Sequence, residues 1–206
     1  MELTVVKLLL DMKKEAGKMK IGVLSLQGGV IEHITSIISL GHKAIEVRTL
    51  EELKSIDALI IPGGESTTIG KLLKITGLLN PLRKMIQNGL PVWGTCAGMI
   101  LLAKNIEDED TTHLGVMDIT VKRNAYGTQL DSFTTKTIIE EINKSPIELV
   151  FIRAPYVTHV GPNVTILATV DDNIVAVRQN NILATSFHPE LTNDTSFLKY
   201  FINVVT

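Results

Sequence analysis

Short apolar runs alternate with helix-spaced segments through the first half of this sequence, and no other feature limits the fold so strongly. Residues 21–26 form an apolar run ended by Gly28 and Gly29. Residues 57–61 form another, closed by Pro62, Gly63 and Gly64, and residues 91–94 a third. Residues 43–48 read as one more strand between the first two. Runs with no polar face belong to strands covered on both sides. The intervening segments supply the cover. Ile31, Ile34, Ile37 and Ile38 recur at helical spacing and stop at Gly41. Residues 50–55 read as a short helix or turn, residues 66–88 as helix broken near Gly77 and Pro81, and residues 97–105 as helix again. This alternation predicts an α/β fold, a three-layer sandwich with a mostly parallel central sheet.

After Glu107 the pattern changes. Residues 107–110 are a charged loop, followed by β-like runs at 115–122, 149–152 and 164–168. Residues 173–178 and 182–187 read as a hairpin joined at Gln179, Asn180 and Asn181, and residues 194–204 as a last helix. No repeat, low-complexity tract or linker interrupts the 206 residues, so a single domain is expected.

Charge and cysteine usage narrow the function. Lysine and arginine number 20 against 22 aspartates and glutamates, a net charge of −2, which leaves no electrostatic footprint for nucleic acid or an acidic membrane. The single cysteine excludes an internal disulfide and any zinc site built on paired cysteines. Residues 1–10 are fairly apolar, but Lys7 interrupts them and no basic residue precedes them, unlike a signal peptide. The longest mostly apolar stretch elsewhere, residues 91–103, is too short to span a bilayer. A soluble, cytoplasmic protein without metal or cofactor is the expectation.

That one cysteine sits in Gly94-Thr95-Cys96-Ala97-Gly98, where a buried strand turns into a helix. The spacing is that of a nucleophile elbow with cysteine in place of serine. A sharp strand-to-helix turn leaves no room for side chains beside the nucleophile, and the helix N-terminus favours thiolate. The alternative is a buried cysteine in a glycine-rich turn. Of five histidines, His33 lies within a helical pattern, His42 follows a helix-ending glycine, and His113 and His159 sit in polar loops. His188 instead ends an apolar run and is followed by Pro189 and Glu190. The residue before proline is held extended, and positions i and i+2 of an extended segment point the same way. Glu190 can therefore lie beside His188 and orient its imidazole. Pro62-Gly63-Gly64-Glu65-Ser66 also follows a strand and opens a helix. Its amides, with that of Ala97, can stabilise an oxyanion, and Glu65 can bind an ammonium group. The alternative is a tight turn capped by Ser66.

These motifs resemble a known family. The elbow with the His188-Pro189-Glu190 ending is similar to class I, triad-type glutamine amidotransferases. Further blocks resemble the glutaminase subunits of pyridoxal 5′-phosphate synthase in particular. They are Leu26-Gln27-Gly28 with Glu32-His33, Pro62 through Thr68, Arg123-Asn124-Ala125, Phe151 through Pro155, Val177-Arg178-Gln179 and Ala184 through Thr192. The resemblance implies a flavodoxin-like fold and hydrolysis of L-glutamine to glutamate and ammonia. It implies that the ammonia passes to a barrel-shaped synthase subunit, in a hetero-oligomer that makes pyridoxal 5′-phosphate. By this pattern Cys96 is the nucleophile, His188 the acid–base and Glu190 its orienter. Gly64, Glu65, Ser66, Arg123, Ile152 and Arg153 hold glutamine, and Gly63, Gly64 and Ala97 form the oxyanion hole. A carboxylate and an ammonium on one substrate suit an arginine and a glutamate.

The sequence departs from the family pattern at Tyr126, Thr128 and Ser196, where phenylalanine, arginine and arginine are common. Residues 1–18 read as an extension outside the pattern, with residues 19–206 as the amidotransferase domain. Two other readings remain: the glutaminase subunit of another amidotransferase, such as imidazole glycerol phosphate synthase, or a non-catalytic regulatory subunit of the same fold.

Overall fold

In a computed structural model, residues 17–123 and 132–206 are described. The expectations placed on Tyr126, Thr128 and residues 1–16 fall outside them. Five parallel strands form the half of the sheet that matters for the site. They are β1 (Lys20–Leu24), β2 (Lys43–Val47), β3 (Ala58–Ile61), β4 (Val92–Thr95) and β12 (Ile182–Thr185). They lie in the order β2-β1-β3-β4-β12. Successive residues on these strands face opposite sides. Leu59, Ile61, Val92 and Ala184 enter one core, while Ala58, Ile60, Trp93 and Leu183 enter the other. Both faces are buried, which is why the strands read as apolar throughout.

The first core is closed by α2 (Leu50–Lys54), α3 (Ser66–Ile75), α4 (Leu79–Gln87) and α5 (Ala97–Leu102). The second is closed by α1 (Val30–Ser39) and α6 (Ser196–Tyr200), the latter continuing as a π-turn over Phe201–Val205. The expected long helix over 66–88 is broken at Gly77 alone. Pro81 sits in the first turn of α4, where its missing N–H has no intrahelical partner to lose. The helix at the elbow is shorter than expected. It ends at Leu102 and runs straight into β5 (Ala103–Ile106), an edge strand that apolar content alone does not distinguish from helix.

Beyond β12 the sheet becomes mixed. It continues through β11 (Asn173–Gln179), β9 (Tyr156–Val160), β6 (Met117–Lys122) and β5, with β10 (Thr165–Val170) on β11. The expected hairpin is β11–β12, paired antiparallel from Ala176 with Thr185 to Gln179 with Ile182. A separate antiparallel pair, β7 (Ser132–Ile139) with β8 (Asn143–Ile152), packs on the second core. Only the end of β8 was anticipated from sequence. Aromatic rings tie this pair down: Phe133 stacks on Phe151, Phe151 meets Phe187 edge-on, and Phe187 meets Phe197. Ser196, one of the departures from the family pattern, opens α6 and accepts a hydrogen bond from Asn143 at the start of β8.

The turn from β4 into α5 depends on glycine. A Cβ on Gly98 would lie 2.2 Å from the carbonyl oxygen of Ile61, and one on Gly94 would lie 2.5 Å from the Gly98 carbonyl carbon. The helix can therefore fold back across β3 only without side chains there. Replacing Gly98 by alanine forces a methyl against backbone and should cost about 1–3 kcal/mol, as overpacking does. Urea unfolding of the Gly98→Ala protein measures this as a lowered midpoint at an unchanged slope.

Candidate active site

The loops that follow β1, β3, β4 and β12 all leave the sheet at its carboxyl edge; those after β3 and β4 wall one cleft, and those after β1 and β12 brace them through Gly28 and His188. Ligands of open parallel sheets bind at this edge, where the strand order reverses. The cleft has a volume of about 140 Å³ and is lined by Gly64, Glu65, Ser66, Cys96, Ala97, Ile100, Arg123, Ile152 and Arg153. That is small against the cavities that take drug-sized ligands, and it suits a compact polar metabolite. All six residues assigned to glutamine by resemblance lie on its wall.

Cys96 sits between β4 and α5 with φ 48° and ψ −104°. A left-handed backbone at a non-glycine residue typically costs about 1–3 kcal/mol and concentrates at functional sites. The strain is held by a hydrogen bond from the Cys96 amide to the Thr185 carbonyl on β12 (2.8 Å). Its Sγ lies 4.0 Å from the carbonyl oxygen of Ile152 at the end of β8. Arg153, the next residue, is left-handed as well, at φ 44°.

His188 follows β12 and is anchored by its amide to the Val150 carbonyl on β8 (2.8 Å). Its Nδ1 is 2.8 Å from Oε1 of Glu190, which leaves Nε2 free to serve Cys96, whose side chain raises the proton affinity of the imidazole. The contact with Glu190 was expected, but its geometry was not. Pro189–Leu191 is a 3₁₀ turn rather than an extended segment, and the turn brings the carboxylate to the Nδ1 edge of the ring. Gly63 wedges against both partners. A Cβ there would meet His188 Cε1 at 2.3 Å and Cys96 Cβ at 3.3 Å.

The loop after β3 is braced from β1. Gly28, at φ 112°, lies so close to the Gly63 carbonyl oxygen that a Cβ would approach it to 1.8 Å. The Gly29 amide donates to that oxygen (3.3 Å), and the Glu65 amide donates to Oε1 of Gln27 (2.7 Å). A trans peptide sets C=O and N–H on opposite sides, so the Gly64 N–H points away from the Gly28–Gly29 turn. Helix α3 is capped by Glu65, whose carboxylate accepts from the Thr68 amide (3.1 Å), and not by Ser66. Ser66 Oγ is instead buried and without a hydrogen-bond partner among the described residues, on the cleft wall. Arg123 reaches over from β6 and pairs with Glu65 (3.2 Å) and Glu109 (2.9 Å). Glu109 was legible only as part of a charged loop.

The other histidines differ from expectation in one respect. His113, assigned to a polar loop, is buried against Gly70 of α3, and His159 lies on β9. Burial holds the His113 imidazole below its ordinary proton affinity, reinforced by Lys74 and Arg123. Among the described residues no group of three or more His, Cys, Asp or Glu side chains is placed to hold a metal ion. None of the described helices is long and apolar enough to cross a membrane.

Electrostatics at the pair are asymmetric. Burial works against a charge on His188, but hydrogen bonds and charge contacts with Cys96 and Glu190 outweigh it and raise its pKa to about 10. Burial likewise opposes ionisation of Glu190, yet the His188 hydrogen bond prevails and holds its pKa below the ordinary value.

The fold is that of a class I glutamine amidotransferase. A crystal structure of a glutamine amidotransferase matches it with a TM-score of 0.85 at 45% identity, covering 90% of this chain and 98% of that one. The structure of PurLQS from Thermotoga maritima, at 14% identity, shares the fold with a TM-score of 0.66 over 92% of this chain and 100% of that one. Pyridoxal 5′-phosphate synthase subunit PdxT of Clostridium beijerinckii is 64% identical over 184 residues, 89% of this chain and 97% of that protein. PdxT of Clostridium acetobutylicum is 58% identical over 186 residues, 90% of this chain and 100% of that protein. The chain belongs to the SNO glutamine amidotransferase family, whose pattern it matches over residues 23–206.

The raised proton affinity of His188 can be read directly. Its carbon-bound ring resonances should show a protonated imidazole through pH 8 and titrate near pH 10. In Cys96→Ala the titration should move to lower pH. Because the folded value exceeds the ordinary 6.5, the pair stabilises the native state fully below about pH 6.5 and loses that contribution as pH rises through about 10.

Proposed function

We propose that this chain hydrolyses L-glutamine to glutamate and ammonia, with Cys96 as nucleophile, His188 as acid–base and Glu190 as the group that orients His188. The observation that carries the reading is a cysteine on a left-handed elbow, beside a hydrogen-bonded His–Glu pair and opening on a small polar cleft. The raised proton affinity of His188 suits it to take the proton of the Cys96 thiol as Sγ attacks. Sγ attacks the side-chain amide carbon of glutamine. His188 then gives its proton to the departing ammonia and takes one from the water that cleaves the acyl-enzyme.

The oxyanion of each tetrahedral intermediate is held by the backbone N–H of Ala97 and Gly64, with Gly63 setting their spacing. Ala97 opens α5, so its N–H has no intrahelical acceptor. Glu65 takes the α-ammonium of glutamine, and Arg123 with Arg153 the α-carboxylate, against Ser66 and Ile152. The ammonia goes to the synthase subunit of pyridoxal 5′-phosphate synthase, within a hetero-oligomer. The names of the close relatives favour this acceptor over imidazole glycerol phosphate synthase.

Glutamate release from glutamine, measured with and without the synthase subunit, tests the whole reading. Cys96→Ala should release none. His188→Asn should lose about 10²–10⁴-fold in kcat, the usual worth of general acid–base help, and Glu190→Gln less. Near-full turnover in His188→Asn with loss in Glu190→Gln would reverse their roles. A regulator without catalysis would leave all three proteins equally silent beside an inactive parent.

Glu65→Ala should weaken glutamine binding by about 2–5 kcal/mol in calorimetry, because it leaves a buried ammonium unmatched. The same variant should also lose about 1 kcal/mol of stability as its helix loses its cap. Unchanged glutamine affinity would remove Glu65 from the substrate site.

A further inference from the structure

The triad accounts for one oxygen of Glu190 and leaves the other unexplained. Oε1 accepts from His188, whereas Oε2 is buried and has no hydrogen-bond partner among the described residues. A buried carboxylate oxygen without a donor is expensive, so whatever faces it matters. What faces it is His33. Its Nε2 lies 3.5 Å from Oε2 of Glu190 and 3.4 Å from Oγ1 of Thr95, the residue before the nucleophile. His33 is 2% exposed, on the inward face of α1, with its ring edge-on to Trp93.

We propose that His33 is a positioning residue for the triad: its Nε2–H donates to Glu190 Oε2 and fixes the carboxylate in the plane that serves His188. This rests on the assignment of Glu190 as orienter. The chemistry selects the tautomer. An ionised carboxylate only accepts, so the nitrogen facing it must carry the hydrogen. The charge state follows from burial, which holds the His33 pKa below the ordinary 6.5 against the opposing pull of Glu190. A neutral donor orients Glu190 without cancelling its charge. A cation in the same place would compete with His188 for that charge and lower its proton affinity. The charged or titratable groups around the pair are Glu32 on α1, Glu190 and His188 after β12, and Cys96 after β4. Glu32 and Glu190 favour a proton on His33, while His188 disfavours it.

The test compares three replacements for His33, each assayed for glutamate release with the synthase subunit present and for the His188 ring titration. Glutamine places an amide N–H near the position of Nε2, asparagine reaches only as far as Nδ1, and leucine offers no donor. His33→Leu and His33→Asn should lower kcat about 10–100-fold, as loss of an outer-shell orienter does, with KM within about twofold. Both should shift the His188 titration to lower pH, and His33→Gln should restore both readouts. A merely structural role would depress the similarly polar glutamine and asparagine variants alike, and that result overturns the proposal. So does His33→Asn retaining parental kcat and titration. If leucine prevents folding, the glutamine–asparagine pair decides the matter. If the parent protein releases no glutamate, the functional reading fails, while the His188 titration still reports on His33.

Discussion

Everything at the cleft follows from one close contact, that of Gly98 with the carbonyl of Ile61. It lets α5 return across β3 within a residue of leaving β4, and that return forces Cys96 into its left-handed backbone. Neighbouring parallel strands then do the rest. Pairing of β4 with β3 on one side and β12 on the other fixes where the Gly63–Ser66 loop and His188 emerge. None of Cys96, His188 and Glu190 needs a long loop to reach its partner. The strand ends deliver all of them within the width of a few ladders, so the geometry is as rigid as the sheet itself.

The price of that arrangement is a cluster of ionisable groups in a poorly hydrated place, and it is met by pairing rather than by neutralisation. Glu190 is held ionised chiefly by His188, while His188 owes its raised proton affinity to Cys96 first and to Glu190 next. Replacing either alone leaves a buried charge unmatched, which is worse than never having had the pair. The same logic explains why Trp93, Phe187 and Phe197 pack behind the pair. Apolar walls keep water out, and the coupling remains strong only in their shelter.

The parallel half of the fold was legible in the sequence because burial on both faces writes an unmistakable pattern there, and β1, α1, β3 and β4 fell within two residues of expectation. The mixed half was legible only in part: β6, β10 and the β11–β12 hairpin were expected, whereas β7, β9 and most of β8 were not. Strand β7 alternates exposed and half-buried residues with threonine and lysine among them, so its apolar signal is weak. Strand β9 is short and includes an exposed histidine. Helix α5 and β5 share one apolar run, and no periodicity marks where one becomes the other. At the site, spacing and resemblance singled out Cys96, His188 and Glu190, since Cys96 and His188 follow recognisable strands and Glu190 stands two residues beyond His188. Resemblance singled out Glu32-His33 as a block but gave His33 no role, and neither spacing nor resemblance disclosed Glu109. Both approach from elements remote in sequence, and a histidine on a helix or an acid in a charged loop looks the same whether or not something faces it.

Charge economy in the cleft suits a zwitterionic substrate. Arg123 sits between Glu65 and Glu109, so the three groups carry one net negative charge. The Glu65 side chain is 54% exposed, and an ion pair so open to water contributes only about 0–1 kcal/mol. Opening it therefore costs little. On the proposed assignment, an amino acid entering with its ammonium toward Glu65 and its carboxylate toward Arg123 would replace that weak pair with two contacts sheltered by the substrate itself, where water no longer screens them. Glu109 remains on the other face of the guanidinium and holds it in place during the exchange.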